Sequence, residues 1–353
     1  MYFGLSEDQI FFQDNVKKFL EDQLTLDTVK KITEGEDDLA KEELHKGLIN
    51  LGINNILVPE EYGGLGLDLL FATAVSQSLG EGVATLPFLG PYILAPTAIK
   101  YGASDSQKEK LFADMSQNLI NFGIGFSEYF GSRDSSGLNI SDNKVTGKTL
   151  FVLDADFASH VMIADNKGQI GIVSLDSNDI EMIDLTTVDK TRTYKEMHFS
   201  DTPIEILDKT KSSSFAIEMA LDAGRIIAAA DSLGASQAMI NKAVEYSKER
   251  KQFNRVIGSF QAVKHMCAEM AAELEPCYSL VWHAAHSFDD SSKDARLMAC
   301  LAKSHISEVS KMVSKKATEV HGGMGFTDLL GLHFWFKRIC LLYTSDAADD
   351  VNG

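Results

Sequence analysis

Two short segments carry the residue types best suited to hold a nucleotide: Arg250-Lys-Gln-Phe-Asn-Arg-Val-Ile-Gly-Ser-Phe-Gln261 and His321-Gly-Gly-Met-Gly-Phe326. In and beside the first, Lys248, Arg250, Lys251 and Arg255 surround a single acid, Glu249. A chain of 33 basic and 51 acidic side chains, net charge −18, therefore has one local cationic spot. The planar fork of Arg250 can donate two parallel charge-assisted hydrogen bonds to a phosphate. Phe253 offers a flat face to a purine or flavin ring, and Gln261 closes the segment. In the second segment Gly322, Gly323 and Gly325 leave backbone amides unobstructed for a close-lying ligand. Each segment also has a plainer reading, as a solvated basic turn or as a loop that merely ends a helix. Both follow long helical patterns, and as a pair they point to a dinucleotide held across a helix bundle.

The elements that must position these segments are legible in outline. Residues 1 to about 120 read as helices, opened by the capping box Ser6-Glu-Asp-Gln9. A second pattern around Lys41–Leu51 stops at Gly52, and Val58-Pro-Glu-Glu-Tyr-Gly-Gly-Leu-Gly66 cannot be regular structure. Further helical patterns surround Leu70–Leu79 and Gln107–Phe112. From 121 to 209 the runs are short and β-rich, at Val161–Ile163, Ile170–Leu175, Met182–Ile183 and Tyr194–Phe199, with a turn at Asn166–Gly168. They predict a small sandwich or barrel. From 210 to 340 the helical period returns. Met219, Ala223, Ile226, Ala230, Leu233, Ile240 and Val244 lie on one stripe, and Val263, Met266, Met270 and Leu274 on the next. Pro276 should kink or end that second helix, and another helix runs from about Asp294 to Val320. The fold expected is mostly α with a small β domain: N-terminal helices, a middle β domain and a C-terminal helix bundle.

Composition narrows the function classes. The acidic balance argues against nucleic acid and anionic membrane surfaces as partners. Cys267, Cys277, Cys300 and Cys340 are widely spaced, without a C-x-x-C pattern, and read as buried thiols in a reducing compartment; no metal site is expected. The N-terminus has no basic leader region and no apolar run reaches the ~18 residues of a spanning helix. A cytoplasmic protein without membrane insertion is expected.

The two ligand segments resemble the R-K-x-F-x-x-x-I-x-x-F-Q and H-G-G-x-G-F motifs of the acyl-CoA dehydrogenase family, and the resemblance extends over nearly the whole chain. Val58–Gly66 is similar to the family's V-P-E-E-Y-G-G-x-G loop. Gly125-Phe-Ser-Glu-Tyr-Phe-Gly-Ser-Arg-Asp134 is similar to its A-x-[ST]-E-P-x-A-G-S-D segment, with Tyr129 in place of proline. Asp189-Lys-Thr-Arg192 followed by Phe199 resembles its D-x-T-R…F pattern. The resemblance implies FAD as cofactor, an acyl-CoA thioester as substrate, electron-transfer flavoprotein as acceptor and a homo- or hetero-tetramer. It implies that Ser127 approaches the flavin N5 and that Phe151 lies against the flavin ring. Arg250, Phe253 and Gln261 of one subunit and Gly322 and Gly323 of another would hold the rest of the FAD, with Arg225 near the substrate. His321 is read as a packing residue, and Glu319 stands where the family usually has Gln.

No catalytic residue is assigned. One branch of the family carries its base immediately before the residue equivalent to Arg225, where this chain has Gly224; Asp222 lies about 200° away around the helix. Another branch places a Glu beyond residue 340. There this chain reads Leu341-Leu-Tyr-Thr-Ser-Asp-Ala-Ala-Asp-Asp350, which departs from the family pattern and reads, like the whole of 341–353, as a non-native tail. Three readings stay open: an active dehydrogenase, a base-lacking subunit of a mixed oligomer, and a flavin-free scaffold.

Overall fold

A computed structural model describes residues 4–133 and 135–343. Helix α1 (Glu7–Gln23) starts at Ser6, whose hydroxyl accepts the Gln9 N–H at 3.2 Å while Gln9 Oε1 accepts the Ser6 N–H at 2.8 Å. Two further helices follow, α2 (Leu26–Glu34) and α3 (Asp38–Asn50). The chain leaves α3 through Gly52 at φ +84°, a left-handed conformation that glycine adopts without a Cβ clash. Val58–Gly66 is irregular apart from one 3₁₀ turn at Glu60–Tyr62. Next come α4 (Leu69–Glu81), α5 (Ala95–Gly102) and α6 (Asp105–Ser116).

The strands are β1 (Phe122–Gly125), β2 (Gly137–Ser141), β3 (Lys144–Leu153), β4 (His160–Ala164), β5 (Ile170–Ser174), β6 (Ile180–Leu185), β7 (Tyr194–Pro203) and β8 (Glu205–Ile206). They form one sheet in the order β6-β7-β3-β1-β4-β5-β8, with β2 paired to β3. Every pair is antiparallel except β1–β4, where Phe122 faces His160 and Gly125 faces Ile163. Alternation decides the cores. Val161 and Ile163 join Val145, Met197 and Phe199 on one face, while Met162 and Ala164 join Phe112, Phe122 and Ile217 on the other. A strand buried on both faces is why Val161–Ala164 reads as a continuous apolar run.

The C-terminal region comprises α7 (Phe215–Glu249), a two-stranded hairpin of β9 (Lys251–Gln252) and β10 (Arg255–Val256), α8 (Gln261–Asp289), α9 (Ala295–His321) and α10 (Leu332–Tyr343). Three expectations need correction. The centre of α7 is buried all round, from Ile226 through Ser236, whereas Met219 and Val244 on the expected stripe are only half-buried. A helix sheathed on every side shows no amphipathic contrast. Pro276 does not end helix α8, because that residue lies on an exposed face where water can satisfy the carbonyl the ring leaves without a partner. Of the four cysteines only Cys277 is buried; Cys267 and Cys340 are intermediate, and Cys300 points outward from α9. Leu341–Tyr343 complete α10, and the remainder of the expected non-native tail lies outside the described residues.

Contacts divide the chain into two compact units, each drawn from separate stretches. The first comprises Met1–Lys41, Thr73–Thr85 and Arg225–Gly353. Within it Arg338, 1% exposed, grips Asp231, 2% exposed, through Nε–Oδ1 and Nη2–Oδ2 bonds of 2.7 Å each. Its Nη1 donates to the Ala84 carbonyl at 2.8 Å. The second unit comprises Glu42–Ala72 and Leu86–Gly224 and contains the whole eight-stranded sheet.

Candidate functional site

In the second unit, Ser127, Glu128 and Phe151 meet at a defect in the sheet. The β3–β7 register runs Thr149↔Met197 and then Val152↔Lys195, so β3 carries one residue more than its partner over this stretch. Phe151 takes a left-handed backbone, φ +54°, and the residue is 47% exposed. It is therefore held outward rather than used as β-domain core. The pins are Ser127 and Glu128. Ser127 Oγ donates to the Leu150 carbonyl at 2.6 Å, and Glu128 Oε1 accepts the Leu150 N–H at 3.1 Å. Glu128 is 2% exposed and also accepts from Ser136 Oγ at 2.6 Å. With its proton committed to Leu150, the Ser127 oxygen is left as an acceptor. Tyr129, in the position of the family's proline, donates its hydroxyl to Glu218 on α7 at 3.2 Å, an anchor proline cannot supply. Glu128 had no role assigned from sequence; the signal was its place directly after Ser127.

In the first unit, the segment after α7 forms a tight hairpin. Arg255 pairs with Gln252 and Val256 with Lys251, so Phe253 and Asn254 occupy the turn at φ +51° and +61°. Both central residues at positive φ are the mark of a type I′ turn, which matches strand twist but suits Asn-Gly far better than Phe-Asn. Phe253 is 89% exposed. The Arg255 guanidinium lies 3.9 Å from the centroid of Phe260, and the Phe253 ring stands edge-on to Phe260 at 6.1 Å. Arg250 is exposed, and the exposed Gln261 at the start of α8 touches His265 through its Nε2 at 2.8 Å.

The glycine segment ends α9. Gly322 has φ +57° and ψ −141°, a combination that a Cβ disfavours, and a Cβ built on either Gly322 or Gly323 would meet nothing within 4 Å. His321 is buried, its Nδ1 2.7 Å from the Ala317 carbonyl and its ring stacked on Tyr246 at 4.6 Å. Burial lowers its pKa, which fits a packing residue. Glu319 is exposed.

Gly224 sits in α7 with space for a Cβ only if Leu94 yields, since Leu94 Cδ2 would lie 2.8 Å away. Asp222 is buried at 4% exposure. Arg225 is half-buried in the first unit and acts on Lys303 of α9. Burial above all, and then the Arg225 guanidinium, push the Lys303 ammonium down to about 8. Its Nζ donates to Ser307 Oγ at 2.9 Å and to the Leu342 carbonyl in the last turn of α10.

This lysine has a pH signature. Its folded pKa of about 8 lies below the ordinary 10.5, so between those values the unfolded chain holds a proton that the folded chain has released. Stability then rises with pH across the window and its penalty is fully present below pH 8. Relative to Lys303→Met, which takes up no proton, the wild type should gain up to about 3 kcal/mol. Urea unfolding of both chains at several pH values checks this, and a flat difference would rule it out.

Among the described residues no group of three His, Cys, Asp or Glu side chains could hold a metal ion, and no helix is long and apolar enough to cross a membrane. Residues 6–118 match the family model for the acyl-CoA dehydrogenase N-terminal domain, and residues 215–347 that for the C-terminal domain. The short-chain specific acyl-CoA dehydrogenase of Megasphaera elsdenii is 28% identical, the alignment covering 93% of this chain and 91% of the relative. Subunit CarC of the caffeyl-CoA reductase-Etf complex of Acetobacterium woodii is 26% identical over 92% of this chain and 90% of its own. The solved structure of butyryl-CoA dehydrogenase from Megasphaera elsdenii aligns with a TM-score of 0.85 at 22% identity, covering 99% of this chain and 98% of that one. On these matches, the chain belongs to the acyl-CoA dehydrogenase family.

Proposed function

We propose that this chain binds FAD and oxidises the Cα–Cβ bond of an acyl-CoA thioester, with electron-transfer flavoprotein as acceptor. The observation that carries the proposal is the Arg250–Gln261 hairpin. It holds Phe253 outward in a backbone conformation that Phe disfavours, next to the exposed Arg250. Beyond its edge contact with Phe260, most of the Phe253 side chain faces outward. The residues fit the cofactor: Arg250 suits a diphosphate, Phe253 and Phe151 present flat faces, and Gly322 and Gly323 leave open space where a side chain would stand. Ser127 is held in place by its bond to Leu150, and Gln261 adds an amide. When bound, FAD accepts the hydride that leaves the β carbon. The relative named as part of an Etf complex supports the acceptor. A homo- or hetero-tetramer in the cytoplasm completes the reading, with Arg250 and Gly322 of different chains serving one FAD.

A second reading, the base-lacking subunit of a mixed oligomer, is favoured by Gly224. Removing the α proton demands a carboxylate within hydrogen-bond reach of the α carbon and a polarised thioester carbonyl. At the position where one family branch carries that carboxylate, this chain has no side chain, and Leu94 fills the adjoining space. Arg225 beside it is the substrate-contact candidate.

One experiment tests both readings. The purified chain should be yellow, and Arg250→Ala should lower FAD retention at least tenfold, since each charge-assisted bond lost is worth about 1.5–3 kcal/mol. Equal flavin content in the two proteins would end the role given to Arg250. Anaerobic bleaching by butyryl-CoA with the chain alone supports the active dehydrogenase. Bleaching that needs an added partner chain supports the second reading.

A further inference from the structure

The first unit contains a cavity of about 300 Å³ that neither the flavin segments nor Arg225 touch. It lies among α1, α2, the end of α4, α7 and α10. Leu20, Leu24 and Val29 make an aliphatic wall, all three buried. Trp335, 4% exposed, makes another, and its indole N–H is fixed by the Glu81 carbonyl at 2.9 Å. The Lys242 ammonium lies over this indole, 4.5 Å from the ring centroid.

The lining carries two ammonium groups, Lys17 and Lys242, and two carboxylates, Glu21 and Glu81, but the carboxylates act on Lys17 and not on Lys242. Lys17 and Glu81, also on the lining, satisfy one another at 2.9 Å. Lys242 has no carboxylate within salt-bridge distance among the described residues, and burial alone lowers its pKa. A half-buried ammonium whose only charge-compensating contact is a ring face keeps three N–H donors to offer. Asn241 stands beside it at the mouth. Its Oδ1 accepts from Gln237 at 2.8 Å, which leaves its amide N–H groups to donate as well.

We propose that this cavity binds an aliphatic monocarboxylate, with the carboxylate on Lys242 and Asn241 and the chain against Leu20, Leu24 and Val29. The volume is at the lower end of small-molecule sites and suits a body of a few methylenes. The proposal is independent of FAD and of the dehydrogenation site.

The sequence has two tryptophans, so Trp282→Phe leaves Trp335 as the sole fluorescent indole. In that full-length background, hexanoate should change Trp335 emission saturably at millimolar concentration or below, and hexanamide should not. Lys242→Met and Asn241→Asp should each weaken hexanoate binding at least tenfold. Asn241 is exposed and Asp keeps the acceptor used by Gln237, so this second variant tests the site even where Lys242→Met disturbs folding. No saturable change with hexanoate overturns the proposal. So does equal binding of hexanamide, or wild-type affinity in Asn241→Asp, which would place the ligand elsewhere.

Discussion

Arg338→Met should cost about 3–5 kcal/mol of stability, because it strands the buried Asp231 carboxylate without its counterion. The magnitude comes from what remains rather than from what is lost. With the guanidinium present, both carboxylate oxygens and the Ala84 carbonyl are satisfied by one rigid donor set. With Met, an ionised group at 2% exposure must recruit water, take up a proton or open the helices around it. Lys cannot rescue the position, since a single ammonium cannot make the two parallel bonds and reach the Ala84 carbonyl as well. Removing both charges is the informative control. Arg338→Met with Asp231→Leu should recover most of the loss, because a buried pair is worth little more than an apolar pair of similar volume. Urea midpoints of the single and double variants decide the matter. A double variant as unstable as the single one would mean that the two charges are not the source of the cost.

Glu128→Ala is the second change of large effect, and it links stability to the candidate site. Its loss leaves the Leu150 N–H and the Ser136 hydroxyl without the acceptor that each now uses. At about 1–3 kcal/mol for each of these two buried groups left unsatisfied, a loss of about 2–6 kcal/mol is expected. Because Leu150 adjoins Phe151, the outward Phe151 conformation should relax too, and flavin retention should fall with it. Glu128→Gln keeps an acceptor for Leu150 and should lose less than half as much. Hydrogen exchange at the Leu150 amide reads the local effect directly. Unchanged protection there in Glu128→Ala would show that the sheet, not the carboxylate, fixes the extra residue.

How much of this was legible beforehand depends on the range over which the cause acts. Local causes were readable: the Ser6–Gln9 cap, the stop at Gly52 and the helix from 294 to 320 needed only neighbouring residues. The basic segment and the glycine segment were readable as the turns that follow two long helices, and their proposed cofactor role rests on residue type and spacing. What long-range packing decides was not. Pro276 is tolerated because of the face it occupies, and the cysteines differ in exposure because their helices have different neighbours. The burial of the centre of α7 on every side hides in a sequence of Ala, Ile and Ser that reads as a stripe. Glu128 is an ordinary acid until Leu150, 22 residues on, is seen to need an acceptor. The Trp335 cavity is assembled from five segments, none of which advertises it.

The hairpin at Phe253 and Asn254 sets a trap for protein engineers. Any procedure that optimises this chain for heat resistance will favour Asn-Gly in that turn, since both positions have positive φ and neither side chain packs inside. Relieving the left-handed Phe253 should stabilise the fold by about 1 kcal/mol. The same edit deletes the aromatic face, and with it the proposed grip on the cofactor's ring. A more heat-resistant, colourless protein would result, and a thermal screen would rank it as an improvement.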